Sequence, residues 1–128
     1  MTQALLAWGP AATWAAVLFL LSEARLDSSP SWLTINDKVV HLGLYLVLGA
    51  TLAWAQRHGR RGSVLLFLFL GMVYGVLDEW HQSFVPGRDP SWGDWGADAA
   101  GVVLGFFLLR FYLRGYSATS GIDVNRND

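Results

Sequence analysis

Cysteine is absent from the 128 residues, so the chain has neither a disulfide nor a thiolate metal site. Charged residues are also scarce, at 15% of the chain, and the formal net charge is −1. A charge this small gives little attraction to nucleic acid, which we therefore do not expect as a partner. No lysine or arginine precedes the first apolar block, so the basic start of a secretory signal peptide is missing.

Apolar residues, in contrast, make up 53% of the sequence and are gathered into four long blocks. The blocks predict helices at about residues 5–22, 37–56, 63–82 and 92–113, each near the length needed to cross a bilayer. Capping-box patterns before helices two and four, Thr34 to Asp37 and Ser91 to Asp94, support those starts. We predict an all-α fold: an integral membrane bundle of four transmembrane helices over residues 1–114, then a disordered polar tail, 115–128.

The distribution of basic residues predicts the orientation of the bundle. Cytoplasmic segments of bacterial membrane proteins carry an excess of lysine and arginine. If the N-terminus is cytoplasmic, the outer loops hold Arg25, Lys38 and Arg88, and the inner segments hold the larger set: Arg57, Arg60, Arg61, Arg110, Arg114 and Arg126. We therefore expect a multi-pass protein of the bacterial cell membrane with both termini in the cytoplasm.

Two adjacent carboxylates, Asp78 and Glu79, stand at the end of the third helix, where the helix dipole disfavours anions. Residues 63–77 span only about 22 Å of helix, so the helix must continue through both acids to cross an apolar layer of about 30 Å. Ionisable residues at that depth are costly and indicate a functional site. Glu79 and Asp78 are candidate acids or bases, with Gln82 one turn beyond Glu79. The alternative is a buried network that ties the bundle together.

The start of the second helix faces the same side and carries Asp37, His41 and Tyr45 at helical spacing, on one helix face. His41 is a candidate proton partner or ligand, or it forms a structural hydrogen bond inside the bundle. Asp37 is either part of a site or an acid favoured by the helix N-terminus. We expect Tyr45 to pack in the core with its hydroxyl bonded.

The loop after helix three and the start of helix four add further polar residues. Arg88 follows the turn Pro86-Gly87 and could pair with the carboxylates or clamp a phosphate. Asp94 is either a cap or a binding residue, and Asp98 lies one turn deeper. The small-residue pairs Gly101/Gly105 and Gly71/Gly75 predict close helix packing without any chemistry.

A metal site is not predicted, although carboxylates and His41 are suitable hard ligands, because no two histidines have diagnostic ligand spacing. We expect no cofactor either, since no nucleotide-binding glycine loop is present.

The combined pattern resembles the VanZ-like family of small multi-pass bacterial membrane proteins. The resemblance covers about residues 36–109 and rests on Asp37-Lys38, His41, Tyr45, Glu79-x-x-Gln82, Phe84, Pro86-Gly87-Arg88, Asp94, Asp98 and Gly101. The resemblance implies a helical membrane protein. The namesake of the family is linked to low-level resistance to the glycopeptide teicoplanin. Asp98 stands where the family pattern often has asparagine, which changes the charge of the site.

Three functions follow as hypotheses. The first is an envelope enzyme acting on lipid-linked precursors at the outer leaflet, with Glu79 as acid or base, His41 as its proton partner and Arg88 as anion clamp. In the second, the same residues bind a lipid, a drug or a partner protein without catalysis. The third, a proton-linked carrier, requires a homo-oligomer, because four helices contain no duplicated half.

Overall fold

Four helices account for nearly all of the chain in the computed structural model, which describes residues 2–23, 31–59 and 62–123, with no side chains described for residues 2, 31–36 and 118–123. The helices are α1 (Thr2–Ser22), α2 (Ser31–His58), α3 (Val64–Gln82) and α4 (Trp92–Asp123). Each contains a stretch long and apolar enough to cross a membrane. The predicted all-α bundle of four transmembrane helices is confirmed, and the chain is a multi-pass membrane protein.

Two predicted helix boundaries are wrong. Helix α2 begins at Ser31 rather than Asp37, so the Thr34–Asp37 pattern lies inside the helix and is not its cap. The nearest helix-breaking residue is Pro30, directly before Ser31. Residues 31–36 contain neither proline nor glycine, so nothing in the sequence interrupts a helix before Asp37.

Helix α4 ends later than predicted. It continues past Leu113 to Asp123, because no proline follows and helix growth adds a hydrogen bond for each residue. The expected disorder therefore does not hold for residues 115–123. Residues 124–128 lie outside the described part of the chain, as do Arg25, Arg60 and Arg61 of the orientation argument.

The closest contact in the bundle joins α2 to α4. A methyl group added at Gly101 would lie 2.5 Å from the carbonyl oxygen of Leu42, and one at Gly105 would overlap the carbonyl oxygen of Leu46. The predicted Gly101/Gly105 packing pair is thereby confirmed. The second predicted pair also faces α4, since a methyl group at Gly71 would lie 2.6 Å from Val102. The absence of side chains at these positions lets the helix backbones touch.

Around this α2–α4 interface lies the apolar core, with α1 and α3 attached to its sides. Tyr45, Leu52, Val102 and Phe106 are among the buried core residues. The indole of Trp14 on α1 donates to the carbonyl oxygen of Leu44 at 2.9 Å. These contacts hold α1 against α2 by packing and by a hydrogen bond that the apolar surroundings strengthen.

The outer surface of the bundle is apolar as well. Leu5, Leu6, Leu65, Phe69 and Phe111 are each more than 60% exposed. Exposed apolar side chains on every helix are what a lipid-facing surface requires and would be an aggregation liability in water.

Polar side chains are concentrated where α1 and α3 end and α2 and α4 begin, which we call the polar end. The buried polar residues are Ser22, His41, Asp78, Glu79, Gln82, Asp94 and Asp98. Among the residues whose side chains are described, the buried polar ones therefore belong to the last turns or first turns of the helices at this one end.

Candidate functional site

Six side chains at the polar end form what we call the acidic cluster. Helix α2 contributes Lys38 and His41, the end of α3 contributes Asp78 and Glu79, and the start of α4 contributes Asp94 and Asp98. The sequence predicted that these three helix ends meet, and the contacts described next connect them directly.

His41 lies at the centre of the acidic cluster. Its Nδ1 is 2.9 Å from Asp98 Oδ1, within hydrogen-bonding distance, and 3.9 Å from Glu79 Oε1. Its Nε2 is 3.9 Å from Asp37 Oδ1 at the half-exposed rim. The imidazole therefore connects a fully buried carboxylate on α4 with the outer edge of the cluster, and Asp98 fixes the ring orientation.

Glu79 has a structural task that the sequence did not predict. Its Oε2 accepts the backbone N–H of Ser91 at 2.9 Å, the residue before α4. In a capping box the acid of the helix's own first turn fills this position. Here Asp94 instead accepts from the Ser91 hydroxyl at 2.6 Å and from Lys38 Nζ at 2.8 Å.

The Ser91 side chain completes the other half of that cap, since its Oγ accepts the backbone N–H of Asp94 at 3.1 Å. The predicted cap at Ser91 is therefore confirmed for the first hydrogen bond of the capping box. The second hydrogen bond, to the Ser91 backbone N–H, comes from Glu79 on α3. A carboxylate at the wrong end of one helix dipole is placed at the favourable end of another.

The capping contact separates two substitutions of Glu79. Glu79→Ala leaves the partly buried Ser91 N–H without its acceptor and is expected to destabilise the protein by about 1–3 kcal/mol. Glu79→Gln keeps a carbonyl oxygen in the same place and is expected to cost much less. Thermal unfolding in detergent measures both; equal losses would show that the charge, and not the cap, carries the stability.

Asp78, although adjacent to Glu79, has separate partners. Its Oδ2 accepts from the Tyr45 hydroxyl at 3.0 Å and from Gln82 Nε2 at 3.2 Å. The expected buried, bonded state of Tyr45 is confirmed, at 1% exposure. These contacts place Asp78 and Gln82 in a network that ties α2 to α3, one of the two interpretations the sequence left open.

Two carboxylate oxygens in the acidic cluster are buried without a hydrogen-bond partner among the described residues. They are Glu79 Oε1 and Asp98 Oδ2. Buried polar atoms are nearly always bonded, so each such exception needs a physical reason.

Arg88 is not brought to these carboxylates. Its Nη2 donates to the carbonyl oxygen of Leu21, at the end of α1, at 3.0 Å. The sequence-based pairing of Arg88 with Glu79 or Asp78 is absent from the described contacts, because the turn at Gly87, with φ of 87°, directs the chain toward α1. Lys38 is the cation that reaches the cluster instead.

Lys38 and Ser91 are the site residues that sequence reasoning missed. Lys38 was used for the orientation and the family resemblance but not as a site residue, and Ser91 was used only as a cap. Lys38 follows Asp37 and precedes His41 by three positions, so helical spacing alone would have placed it near the same face.

A cavity of about 360 Å³ opens beside Glu79, between the end of α3 and the start of α4. Its walls are mostly apolar and aromatic, with Glu79 and Ser91 as the polar atoms next to the cluster. The lining residues are Val76, Glu79, Trp80, Ser83, Pro90, Ser91, Trp92 and Trp95.

A second cavity, of about 510 Å³, lies at the opposite end of the bundle and contains none of the predicted site residues. Arg57, Arg110 and Arg114 line it. Arg57 donates to Ser117 Oγ and Arg110 to Gln56 Oε1, each at 2.6 Å.

Two sets of residues, one of which also includes Asp37 at the rim of the acidic cluster, carry potential metal ligands within 4.8 Å of one another. One set is His41, Glu79 and Asp98, and the other is Asp37, His41 and Asp94. The sequence did not predict a metal because a single histidine and acids from separate helices leave no spacing signal.

The chain matches the model of a known protein family. A family model described as VanZ/LLP1 matches residues 6–113. The match runs from α1 into α4 and includes every residue of the acidic cluster. No curated protein and no solved structure matches the chain.

Proposed function

This chain belongs to the VanZ/LLP1 family, and we propose that it acts on the headgroup of a lipid-linked intermediate of the bacterial cell envelope. Glu79 and His41 are the proposed catalytic pair. The observation that carries the proposal is Glu79 Oε1, which has no hydrogen-bond partner among the described residues, is 3.9 Å from His41 Nδ1 and belongs to a residue lining a tryptophan-rich cavity.

The cavity supports a lipid-like substrate. Trp80, Trp92 and Trp95 offer aromatic walls, and tryptophan is enriched where a protein meets the membrane interface. At the inner edge the apolar lining changes to Glu79 and Ser91. A molecule with an apolar chain and a polar headgroup fits that change, with its headgroup toward the acidic cluster.

The remaining residues of the cluster position this pair. Asp98 holds the His41 ring through Nδ1, while Lys38 and Ser91 hold Asp94 at the rim. Asp37 and Lys38 are at the exposed side of His41 and are the proposed contacts for polar groups of the substrate. Asp78 and Gln82 keep α3 in register with α2 through Tyr45.

The charge distribution supports an outer-face location. The arginine-lined cavity with Arg57, Arg110 and Arg114 is at the end opposite the acidic cluster. Because basic residues favour the cytoplasmic side, this distribution supports an acidic cluster at the outer leaflet and both termini in the cytoplasm. Altered teicoplanin susceptibility is then a secondary expectation, through a changed supply of cell-wall precursors.

The test compares lipid extracts from cells that lack the gene, express the wild type or express His41→Ala. We expect one lipid-linked intermediate to differ between the first two strains, and the His41→Ala strain to match the deletion strain. Arg88→Ala is the matched control, since it removes a charge at the same end without touching the cluster, and should behave as wild type. Membrane levels of each variant are measured by immunoblot.

The second hypothesis, binding without catalysis, gives a different result in the same cells. Identical lipid pools in all strains would contradict the enzymatic proposal. A lipid that copurifies with the wild type but not with His41→Ala would then favour a binding module.

A further inference from the structure

Buried negative charge exceeds buried positive charge at the polar end. Asp78, Glu79, Asp94 and Asp98 are all buried, and the ammonium that reaches them is that of Lys38, bonded to Asp94. Hydrogen bonds from Tyr45 and Gln82 satisfy Asp78, as described above. Among the described residues, Glu79 and Asp98 are therefore left to share His41, and buried carboxylates without compensation are unfavourable.

The two unpartnered carboxylate oxygens, Glu79 Oε1 and Asp98 Oδ2, indicate that the cluster needs a further cation. Glu79 and Asp98 are 8% and 0% exposed, so water gives them little solvation. Glu79 Oε1 has no hydrogen-bond partner and is 3.9 Å from His41 Nδ1. A buried oxygen next to an imidazole nitrogen and a second carboxylate is the arrangement of a cation ligand.

The distances fit a small metal ion. In a tetrahedral site with bonds of about 2.0–2.2 Å, neighbouring ligand atoms are about 3.3 Å apart. His41 Nδ1 lies 2.9 Å from Asp98 Oδ1 and 3.9 Å from Glu79 Oε1, on either side of that value. The candidate ligand atoms of the three residues all lie within 4.8 Å of one another, so side-chain adjustments could bring them around one ion.

We propose that His41 Nδ1, Glu79 Oε1 and a carboxylate oxygen of Asp98 bind one divalent transition-metal ion, with Zn²⁺ and Mn²⁺ as the best-fitting ions. Imidazole favours zinc and its neighbours, and carboxylates are shared by zinc and manganese. Three protein ligands leave an open coordination position, as in catalytic metal sites.

The second candidate set, with Asp37, His41 and Asp94, fits less well. Asp94 has Oδ1 bonded to Lys38 and Oδ2 bonded to Ser91, so neither oxygen is free. Asp37 is half exposed. The ion therefore belongs with Glu79 and Asp98, deeper in the bundle.

This inference rests on the proposed function for one point: which group of the substrate headgroup would occupy the open coordination position of the ion. An acidic cluster repels a phosphate, whereas a divalent ion attracts it and polarises its oxygens. His41 and Glu79 would then serve the headgroup reaction as ligands of the ion, and Asp98 as the third.

Metal binding is measured on the full-length protein in detergent, stripped with a chelator and titrated with Mn²⁺ or Zn²⁺. Loss of the free-Mn²⁺ electron paramagnetic resonance signal counts bound Mn²⁺, and the melting temperature reports binding of either ion. We expect one ion per chain and a higher melting temperature for the wild type, with Mg²⁺ giving a smaller shift.

Isosteric variants locate the ion. Glu79→Gln and Asp98→Asn keep side-chain shape and are expected to weaken binding by about 100-fold or more, above the 10- to 100-fold typical for loss of an outer-shell partner. Asp89→Asn is the control, because it removes an exposed acid at the same end of the bundle that is neither a proposed ligand nor part of the acidic cluster. It should bind Mn²⁺ nearly as tightly as the wild type.

Two results would overturn the metal site. In one, the wild type binds no more Mn²⁺ or Zn²⁺ than Asp98→Asn does. In the other, metal-free Asp98→Asn has a melting temperature as high as that of the metal-bound wild type. A proton shared between Glu79 and Asp98, rather than a metal ion, would explain that result. Neither result depends on a lipid substrate, so failure here leaves the lipid-extract test intact, and failure of that test leaves the metal titration intact.

Discussion

Gly105→Ala is expected to lower the stability of the solubilised protein by at least about 3 kcal/mol, the upper range for overpacking a tight interior. The added methyl group would overlap the carbonyl oxygen of Leu46, part of the α2 backbone. A flexible side chain could rotate away, but a helix backbone must move as a unit. Relief therefore requires α2 and α4 to separate along their length.

Separation of these helices has a second expected effect. Because His41 is on α2 and Asp98 on α4, their 2.9 Å contact depends on the same interface. Gly105→Ala should therefore also weaken metal binding and the lipid phenotype, although it lies about two helical turns beyond Asp98. Thermal unfolding and the Mn²⁺ titration measure the two effects on one preparation.

Gly96→Ala is the control on the same helix. A methyl group at Gly96 meets nothing within 4 Å. Alanine favours helix over glycine by about 1 kcal/mol, so this variant should be neutral or more stable. If Gly96→Ala and Gly105→Ala destabilise equally, close approach of α2 and α4 is not the cause.

Val76→Trp is expected to abolish the lipid phenotype while leaving the fold intact. Val76 lines the 360 Å³ cavity beside Glu79, and its side chain is 45% exposed, so an indole can extend into the cavity without displacing core residues. The filled cavity can no longer admit the apolar part of a substrate. The lipid extract of this strain should match that of the deletion strain.

The neighbouring position provides the control for Val76→Trp. Leu77 has a similar exposure, 51%, and is not among the residues that line the cavity. Leu77→Trp adds the same indole toward lipid and should give wild-type lipid pools. Metal binding should be unchanged in both variants, since neither touches His41. Wild-type lipid pools in Val76→Trp would mean that the substrate does not use this cavity.

The fold was largely predictable because apolar block length is a strong signal. Four blocks long enough to cross a bilayer can hardly form anything other than a helical bundle, since each backbone must satisfy its own hydrogen bonds in lipid. The helix ends were less predictable. Thr34 to Asp37 has the residue types of a cap, yet α2 simply continues through it.

The acidic cluster was predictable in membership and not in pairing. Spacing placed His41, Glu79 and Asp98 at the same end, because each lies within the first or last turns of the helix predicted from the sequence. It could not show that Glu79 bonds to Ser91 while Asp78 bonds to Tyr45. Adjacent residues on a helix point about 100° apart, so which acid faces which neighbour depends on helix rotation.

Arg88 shows the same limit for loops. Its position after Pro86-Gly87 indicated a turn but not the direction of the turn. Arg88 donates to the carbonyl oxygen of Leu21 at the end of α1, in place of the predicted pairing with Glu79 or Asp78.

The tolerances within the acidic cluster are unequal. His41 and Asp98 belong to α2 and α4, whose backbones touch at Gly101 and Gly105. This close packing leaves the distance between the two side chains little freedom to change. Glu79 arrives from α3, which is fastened to this rigid pair mainly through side chains such as those of Tyr45 and Asp78. The separation of His41 and Asp98 is therefore the rigid dimension of the cluster, and any change in its size should come from a movement of α3 that shifts Glu79.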